Sequence, residues 1–284
     1  MKGFAGTDKA LGNKNSAEIF LQSIPYDGTS TWIKGADKGF EAFVTALENM
    51  ELYDIETKSE VYKKGIHIAD SLGYFKSPEH MFNAVYENTK KFLNLDKFFT
   101  FFGGEHSISI GIIKAFYEKF NDISILQIDA HADLRHSHMG SKYNHACALH
   151  DANKNAHLVQ VGIRSMDISE EEFINRNNVF FAKDMFGNNR WMDDSIALLN
   201  KQVYITLDLD AFDPSIMPST GTPEPGGILW NDMLIYLKKV FKNKNVVGFD
   251  IVELAPIKNL EAPNFLVAKL YYKMSVSYTH LRAH

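Results

Sequence analysis

Short apolar runs without strict apolar/polar alternation recur along this chain, and they limit what it can fold into. They cover residues 19–24, 98–102, 123–128, 157–163, 179–182, 203–207 and 246–252. Strands covered on both faces read this way, and such strands belong to parallel sheets flanked by helices. The stretches between them carry helical spacing. Pro78 can open a helix through Phe82, Val85, Tyr86 and Phe92, and residues 110–120, 228–241 and 264–274 are further candidates. Alternating strands and helices predict an α/β fold with a mostly parallel sheet. Length alone allows one or two domains in 284 residues. No repeat, low-complexity tract or Pro/Gly/Ser linker divides the chain, so one domain over residues 1–274 is expected.

Composition removes several function classes. Thirty Lys and Arg against 35 Asp and Glu leave a net charge of −5, which argues against a nucleic-acid or anionic-membrane surface. No run approaches the ~18 apolar residues of a membrane span. Residues 1–16 hold lysines but no apolar core of a signal peptide. The single cysteine, Cys147, allows neither an intrachain disulfide nor a cysteine-rich zinc site. The expectation is a cytoplasmic protein in a reducing compartment. Histidine is unevenly placed, with five of eleven between His131 and His150.

The chemistry-bearing residues follow the ends of apolar runs. Phe102 leads into Gly103-Gly104-Glu105-His106-Ser107, and Ile128 into Asp129-Ala130-His131-Ala132-Asp133. Leu207 leads into Asp208-Leu209-Asp210 and Asp213-Pro214, and Val252 into Glu253-Leu254-Ala255-Pro256. Ligands of open α/β sheets bind beyond the carboxyl ends of the strands. One Asp after a strand is ordinarily a helix cap or turn residue; four strand ends carrying His, Asp and Glu point to a site. Spacing by two can turn Asp129, His131 and Asp133 to one side, and likewise Asp208 with Asp210. Carboxylates so close resist joint ionisation unless cations sit among them. With His106 the set holds four Asp and two neutral His, formal charge −4, which two divalent ions balance. Oxygen-rich donors with some imidazole and no thiolate favour manganese over zinc.

GGEHS at 103–107, DAHAD at 129–133 and DLDAFDP at 208–214, followed by GTPEPGG at 221–227, resemble the signatures of the ureohydrolase (arginase/agmatinase) family. With IPYDGTS at 24–30 the resemblance runs from about Phe20 to about Lys273, and it is greatest to agmatinases. The resemblance implies a three-layer α/β/α sandwich. It implies two Mn²⁺ ions, one held by His106, Asp129, Asp133 and Asp208, the other by Asp129, His131, Asp208 and Asp210. Family members are commonly trimers or hexamers, so a homo-oligomer is implied.

Two adjacent divalent cations lower the pKa of a shared water and supply hydroxide near neutral pH. Glu253 is not needed for metal charge balance and is free to accept guanidinium N–H bonds, matching the family's substrate-binding glutamate. His145, twelve residues past Asp133, matches the family's catalytic histidine and is the candidate proton donor to the leaving amine. His136, His138 and His150 read as loop or surface residues, with His136 or His138 a candidate for the substrate tail. Cys147 reads as a small packing residue. Gly103-Gly104 and Gly226-Gly227 read as turn devices, and Pro223 and Pro225 as stiffeners.

The leading expectation is hydrolysis of agmatine, a small cationic guanidino substrate, to putrescine and urea. Arg135 near the site can instead greet a carboxylate, which keeps a guanidino or formimino acid, such as guanidinobutyrate or formimidoylglutamate, as the alternative. A dinuclear metallophosphoesterase would need a distal histidine pair, whereas only His280 and His284 follow His157. An inactive metal-binding paralogue would have lost a ligand, His145 or Glu253. The last ten residues, 275–284, break the apolar helical pattern and resemble no part of the family, so a non-native or disordered tail is expected there.

Overall fold

All seven apolar runs are strands in the computed structural model, which describes residues 3–281. In chain order the strands are β1 (Ile19–Ile24), β2 (Ile66–Ile68), β3 (Phe98–Gly103), β4 (Ile123–Ile128), β5 (His157–Ile163), β6 (Val179–Phe181), β7 (Gln202–Asp208) and β8 (Asn245–Val252). Only β2 has no counterpart among the apolar runs, because three residues at a sheet edge carry too little pattern to read. The strands form one sheet in the order β2-β1-β3-β8-β7-β4-β5-β6, and every pairing is parallel.

The helices are α1 (Gly39–Leu47), α2 (Pro78–Phe92), α3 (Ile108–Lys119), α4 (His150–Asn155), α5 (Ala182–Met185), α6 (Arg190–Leu198), α7 (Trp230–Asn243) and α8 (Ala262–Leu281). Alternate residues of each strand feed opposite cores. Val203, Ile205 and Leu207 of β7 pack with Phe43 of α1, Trp191 of α6, Leu237 of α7 and Tyr271 of α8. Tyr204 of β7 belongs to the core on the other face, with Val85 of α2, Ile112 of α3 and Ala152 of α4. The result is the expected three-layer α/β/α sandwich. Helix α2 starts where the residues say it should: Pro78 takes the first turn, and the Ser77 side chain caps it by accepting from His80 N.

Helix α8 departs from expectation. It does not end near Met274 but continues to Leu281, with Ser275, Val276 and Ser277 buried. The Tyr278 ring stacks on Phe98 at 3.6 Å between centroids. The hydroxyls that break the apolar pattern are satisfied one turn back: Ser275 Oγ donates to Tyr271 O, Ser277 Oγ to Lys273 O and Thr279 Oγ1 to Ser275 O. The expectation of disorder is therefore corrected as far as Leu281, and residues 282–284 lie outside the described ones. Among the described residues no helix is long and apolar enough to cross a membrane.

The four strands whose ends carry chemistry, β3, β8, β7 and β4, are neighbours at the centre of the sheet. Because all strands run the same way, their carboxyl ends open on one edge.

Candidate metal centre

At the end of β3 the chain passes so close to the β1 loop that a Cβ on Gly104 would lie 1.8 Å from Tyr26 O. Glycine is required there, and the turn delivers Glu105 and His106 to the start of α3. At the end of β7, the Asp208 side chain accepts from Asp210 N at 2.9 Å, which curls the chain and brings both carboxylates to one side. Asp133 after β4 and Glu253 after β8 have left-handed backbones, φ 53° and 70°. Non-glycine residues hold such conformations at a cost of about 1–3 kcal/mol, and that strain gathers where function demands a particular orientation.

The six candidate ligands come together. His106, 1% exposed, has Nδ1 at 3.1, 3.1 and 3.2 Å from Oδ2 of Asp129, Asp133 and Asp208, yet forms no hydrogen bond through that atom. Its Nε2 is 2.9 Å from Thr206 Oγ1, which donates to buried Asp250 Oδ1 at 2.7 Å. The threonine proton goes to Asp250, so Thr206 accepts from Nε2–H and the Nδ1 lone pair faces three carboxylates. That arrangement is repulsive without a positive centre among them, and a cation bound by Nδ1 and the carboxylates removes the conflict. On the neighbouring side, His131 Nδ1 is 2.8 Å from Asp210 Oδ2. Two groups, His106–Asp129–Asp208 and Asp129–His131–Asp210, each bring their donor atoms within 4.8 Å of one another and share Asp129. Asp129 is oriented by Gln127 Nε2 at 2.7 Å and by His131 N at 2.7 Å. The donor set fits two divalent cations.

Electrostatics agree. Burial, then Asp210, raises the Asp129 carboxyl; burial raises Asp133 to about 7; burial and the Asp210 and Asp129 charges push Asp208 well above the carboxylate range. Burial opposes the charge of both imidazoles, but Asp210, Asp129 and Asp133 outweigh it at His131, lifting it to about 11, and Asp129, Asp133 and Asp208 outweigh it at His106, lifting it well above its usual value. Asp210, though buried, is held at about 2 by His131. The cluster thus collects protons, and a divalent cation takes their place on binding.

Glu253 stands beside the cluster, buried, its Oε1 accepting from His106 N at 2.8 Å. Burial and the neighbouring Glu105 charge raise it well above the carboxylate range, so a cationic partner would stabilise its ionised form. A Cβ on Gly221 would come 3.1 Å from Glu253 Oε2, so glycine keeps that side clear. His145 N donates to Thr29 Oγ1 at 3.0 Å, and that hydroxyl donates to Glu105 Oε1 at 2.7 Å, tying the His145 loop to the turn that carries His106. Thr31 Oγ1 lies 3.4 Å from His145 Nε2, and Ile33 N bonds Gly221 O, so residues 31–33 run from His145 to the side of Glu253. Burial and the His131 and His106 charges lower His145 to about 4, so its ring rests neutral. The hydroxyls of Ser30, Ser107, Ser219 and Thr220, in loops at this edge, are buried without partners, as in a polar site built for a ligand.

Other expectations resolve individually. Arg135 is paired with Asp167 at 3.5 Å and Glu170 at 3.9 Å, so its charge is already matched. His150 is not a surface residue: it is buried, and its Nδ1 bonds Leu134 O at 2.7 Å while Nε2 meets His136 Nδ1 at 3.2 Å. Burial pushes the Cys147 thiol up to about 12, which suits a packing residue. Thr29 stands within IPYDGTS with no role assigned to it, and Gln127, Thr206 and Asp250 escape sequence reading because they lie inside apolar runs. Arg164 does too: its guanidinium bonds Asp210 O at 2.6 Å and Glu224 O at 2.8 Å, fixing the 221–227 loop to the metal-side turn.

Comparison with known proteins places this geometry. Residues 17–276 match the sequence model of the Arginase family. The chain is 34% identical over 277 residues to the N(1)-aminopropylagmatine ureohydrolase of Synechocystis sp., covering 94% of this chain and 90% of that protein. It is 30% identical over 259 residues to the agmatinase of Pyrococcus horikoshii, covering 90% of each. The crystal structure of agmatine ureohydrolase of Thermoplasma volcanium superposes with a TM-score of 0.87 at 28% identity, covering 98% of this chain and 94% of that one. Fold, strand-end ligand cluster and near-complete coverage agree: the chain belongs to the arginase family.

Proposed function

We propose that this protein hydrolyses a guanidinium group with two Mn²⁺ ions, converting agmatine and water to putrescine and urea. In this reading His106, Asp129, Asp133 and Asp208 hold one ion and Asp129, His131, Asp208 and Asp210 the other. When bound, the ions supply Lewis acidity that brings the pKa of water near neutrality. The observation that carries the reading is a buried carboxylate, Glu253, fixed on His106 N beside a cluster whose Nδ1 lone pair faces three further carboxylates.

Glu253 would accept N–H bonds from the guanidinium and orient it beside the His106 cluster, with the substrate charge matching the buried carboxylate. The amine departs only if its nitrogen is protonated. His145, tied by its backbone N to Thr29, would carry that proton from the attacking oxygen to the leaving nitrogen.

A second reading, the same chemistry on N1-aminopropylagmatine, is favoured by identities of 34% and 35% to two ureohydrolases of that name against 30% to the Pyrococcus agmatinase, while a third of that name, from Thermococcus kodakarensis, stands at 29%. The pairing of Arg135 with Asp167 and Glu170 speaks against a guanidino or formimino acid. By the same resemblance, we take the enzyme to be a cytoplasmic homo-oligomer.

The test is urea release by Mn²⁺-loaded protein from agmatine, N1-aminopropylagmatine and 4-guanidinobutyrate. Release from at least one of the two amines is expected, and His145→Ala should cut turnover about 10²- to 10⁴-fold with metal content unchanged. No urea from either amine would refute the substrate, and metal loss in His145→Ala would refute the role of His145.

A further inference from the structure

We propose that Glu224 recognises a positive charge carried by the substrate beyond its guanidinium, so that the site selects alkylguanidines ending in an amine over those ending in a carboxylate. The proposal rests on the reading of the site as a guanidine hydrolase. Four Asp carboxylates balance two divalent cations, and Glu253 balances the guanidinium. Glu224 is a further carboxylate of the site, outside that balance. Its Oε1 is 3.8 Å from Nε2 of His131, while Nδ1 of the same ring faces Asp210 at 2.8 Å, so Glu224 stands one imidazole ring away from the cluster. Among the described residues, no lysine or arginine side chain pairs with it within 4.0 Å.

The position is built. Arg164 donates to the carbonyls of Glu224, Pro225 and Asp210 at 2.8, 3.1 and 2.6 Å, which locks the backbone of Glu224 to that of a candidate ligand. The side chain is 35% exposed, so a ligand entering from solvent can reach it. Trp32, 77% exposed, lies between Thr31, which meets His145, and Ile33, which bonds Gly221. The Ile33 bond ties this segment to the loop that carries Glu224, and an ammonium group is attracted to a carboxylate. A terminal carboxylate would meet repulsion at Glu224 and would find Arg135 already paired.

The experiment compares wild type, Glu224→Gln and Glu224→Asp, each loaded with Mn²⁺, on agmatine, N1-aminopropylagmatine and 4-guanidinobutyrate, with metal content measured for each. Glu224→Gln should raise KM for both amines about fivefold or more, the size of one partly exposed charge pair, with little change in kcat. Its KM for guanidinobutyrate should stay level or fall, Mn²⁺ content should not change, and Glu224→Asp should recover part of the amine KM. An equal KM rise on all three substrates overturns the proposal, as does a loss of Mn²⁺ affinity, which would make Glu224 an orienting partner of His131. If wild type releases urea from none of the three, the guanidine-hydrolase reading fails and takes this inference with it. Urea release by wild type with unselective KM shifts in the variant would overturn the inference alone.

Discussion

The two ring nitrogens of His106 have separate partners, and the partner on one side decides what the other can hold. Thr206 takes the Nε2 proton because its own proton is committed to Asp250, and Nδ1 is left as a lone pair among three carboxylates. Such outer partners orient a metal-binding imidazole and raise its basicity. Thr206→Val keeps the shape but removes both hydrogen bonds, leaving Nε2–H and a buried Asp250 oxygen unsatisfied. Its Mn²⁺ affinity, read by competition with a chelator, should fall about 10- to 100-fold while the far-UV and near-UV dichroism of the fold persists. An unchanged affinity would mean that Thr206 does not set the tautomer of His106. The candidate ligands were legible in the sequence as D-x-H-x-D and D-x-D after apolar runs, with His106 in GGEHS. Thr206 and Asp250 were not, because a polar residue inside a buried strand has no local signature; its partner lies far away in the chain.

Between β7 and α7, the chain holds an irregular loop in place with one carboxylate. Asp213 Oδ2 accepts from the amides of Gly226 and Gly227 at 2.9 and 3.1 Å, and its Oδ1 from Ser215 N at 3.0 Å. The Ser215 hydroxyl first, then these amides, favour the ionised form and hold Asp213 at about 2. Its folded-state value lies below the unfolded value of about 4, so the stabilisation is complete above pH 4 and disappears as pH falls through 2. The stability advantage of wild type over Asp213→Asn, measured by denaturant unfolding, should therefore be constant near pH 6 and shrink between pH 4 and pH 2. An advantage independent of pH would remove the ionic basis of the loop. At this scale the sequence was readable where elements are long and patterned, as in α2 with its Ser77-Pro78 start. It was silent for β2, whose three residues form a strand only because β1 lies beside them. It misled at Ser275, where local polarity suggested a break but serine and threonine hydroxyls bond back into α8.

Across the whole molecule, one parallel sheet brings together residues spread from His106 to Glu253. The order β3-β8-β7-β4 puts the four chemistry-bearing strand ends side by side, although β8 follows β3 by well over a hundred residues. Strand-end chemistry could be read from the amino acids, and the parallel class from the unalternating runs. The strand order could not, because sheet neighbours are chosen by long-range packing of both faces; resemblance to a family supplied only the three-layer sandwich. The central claim is that this shared edge holds two cations that act together on a guanidinium. Titrating metal-free protein with Mn²⁺, while counting bound ions and following urea released from agmatine, tests it most directly. The account predicts saturation at two ions per chain, with urea release rising as the second ion binds. Saturation at one ion, or undiminished urea release from metal-free protein, would contradict it.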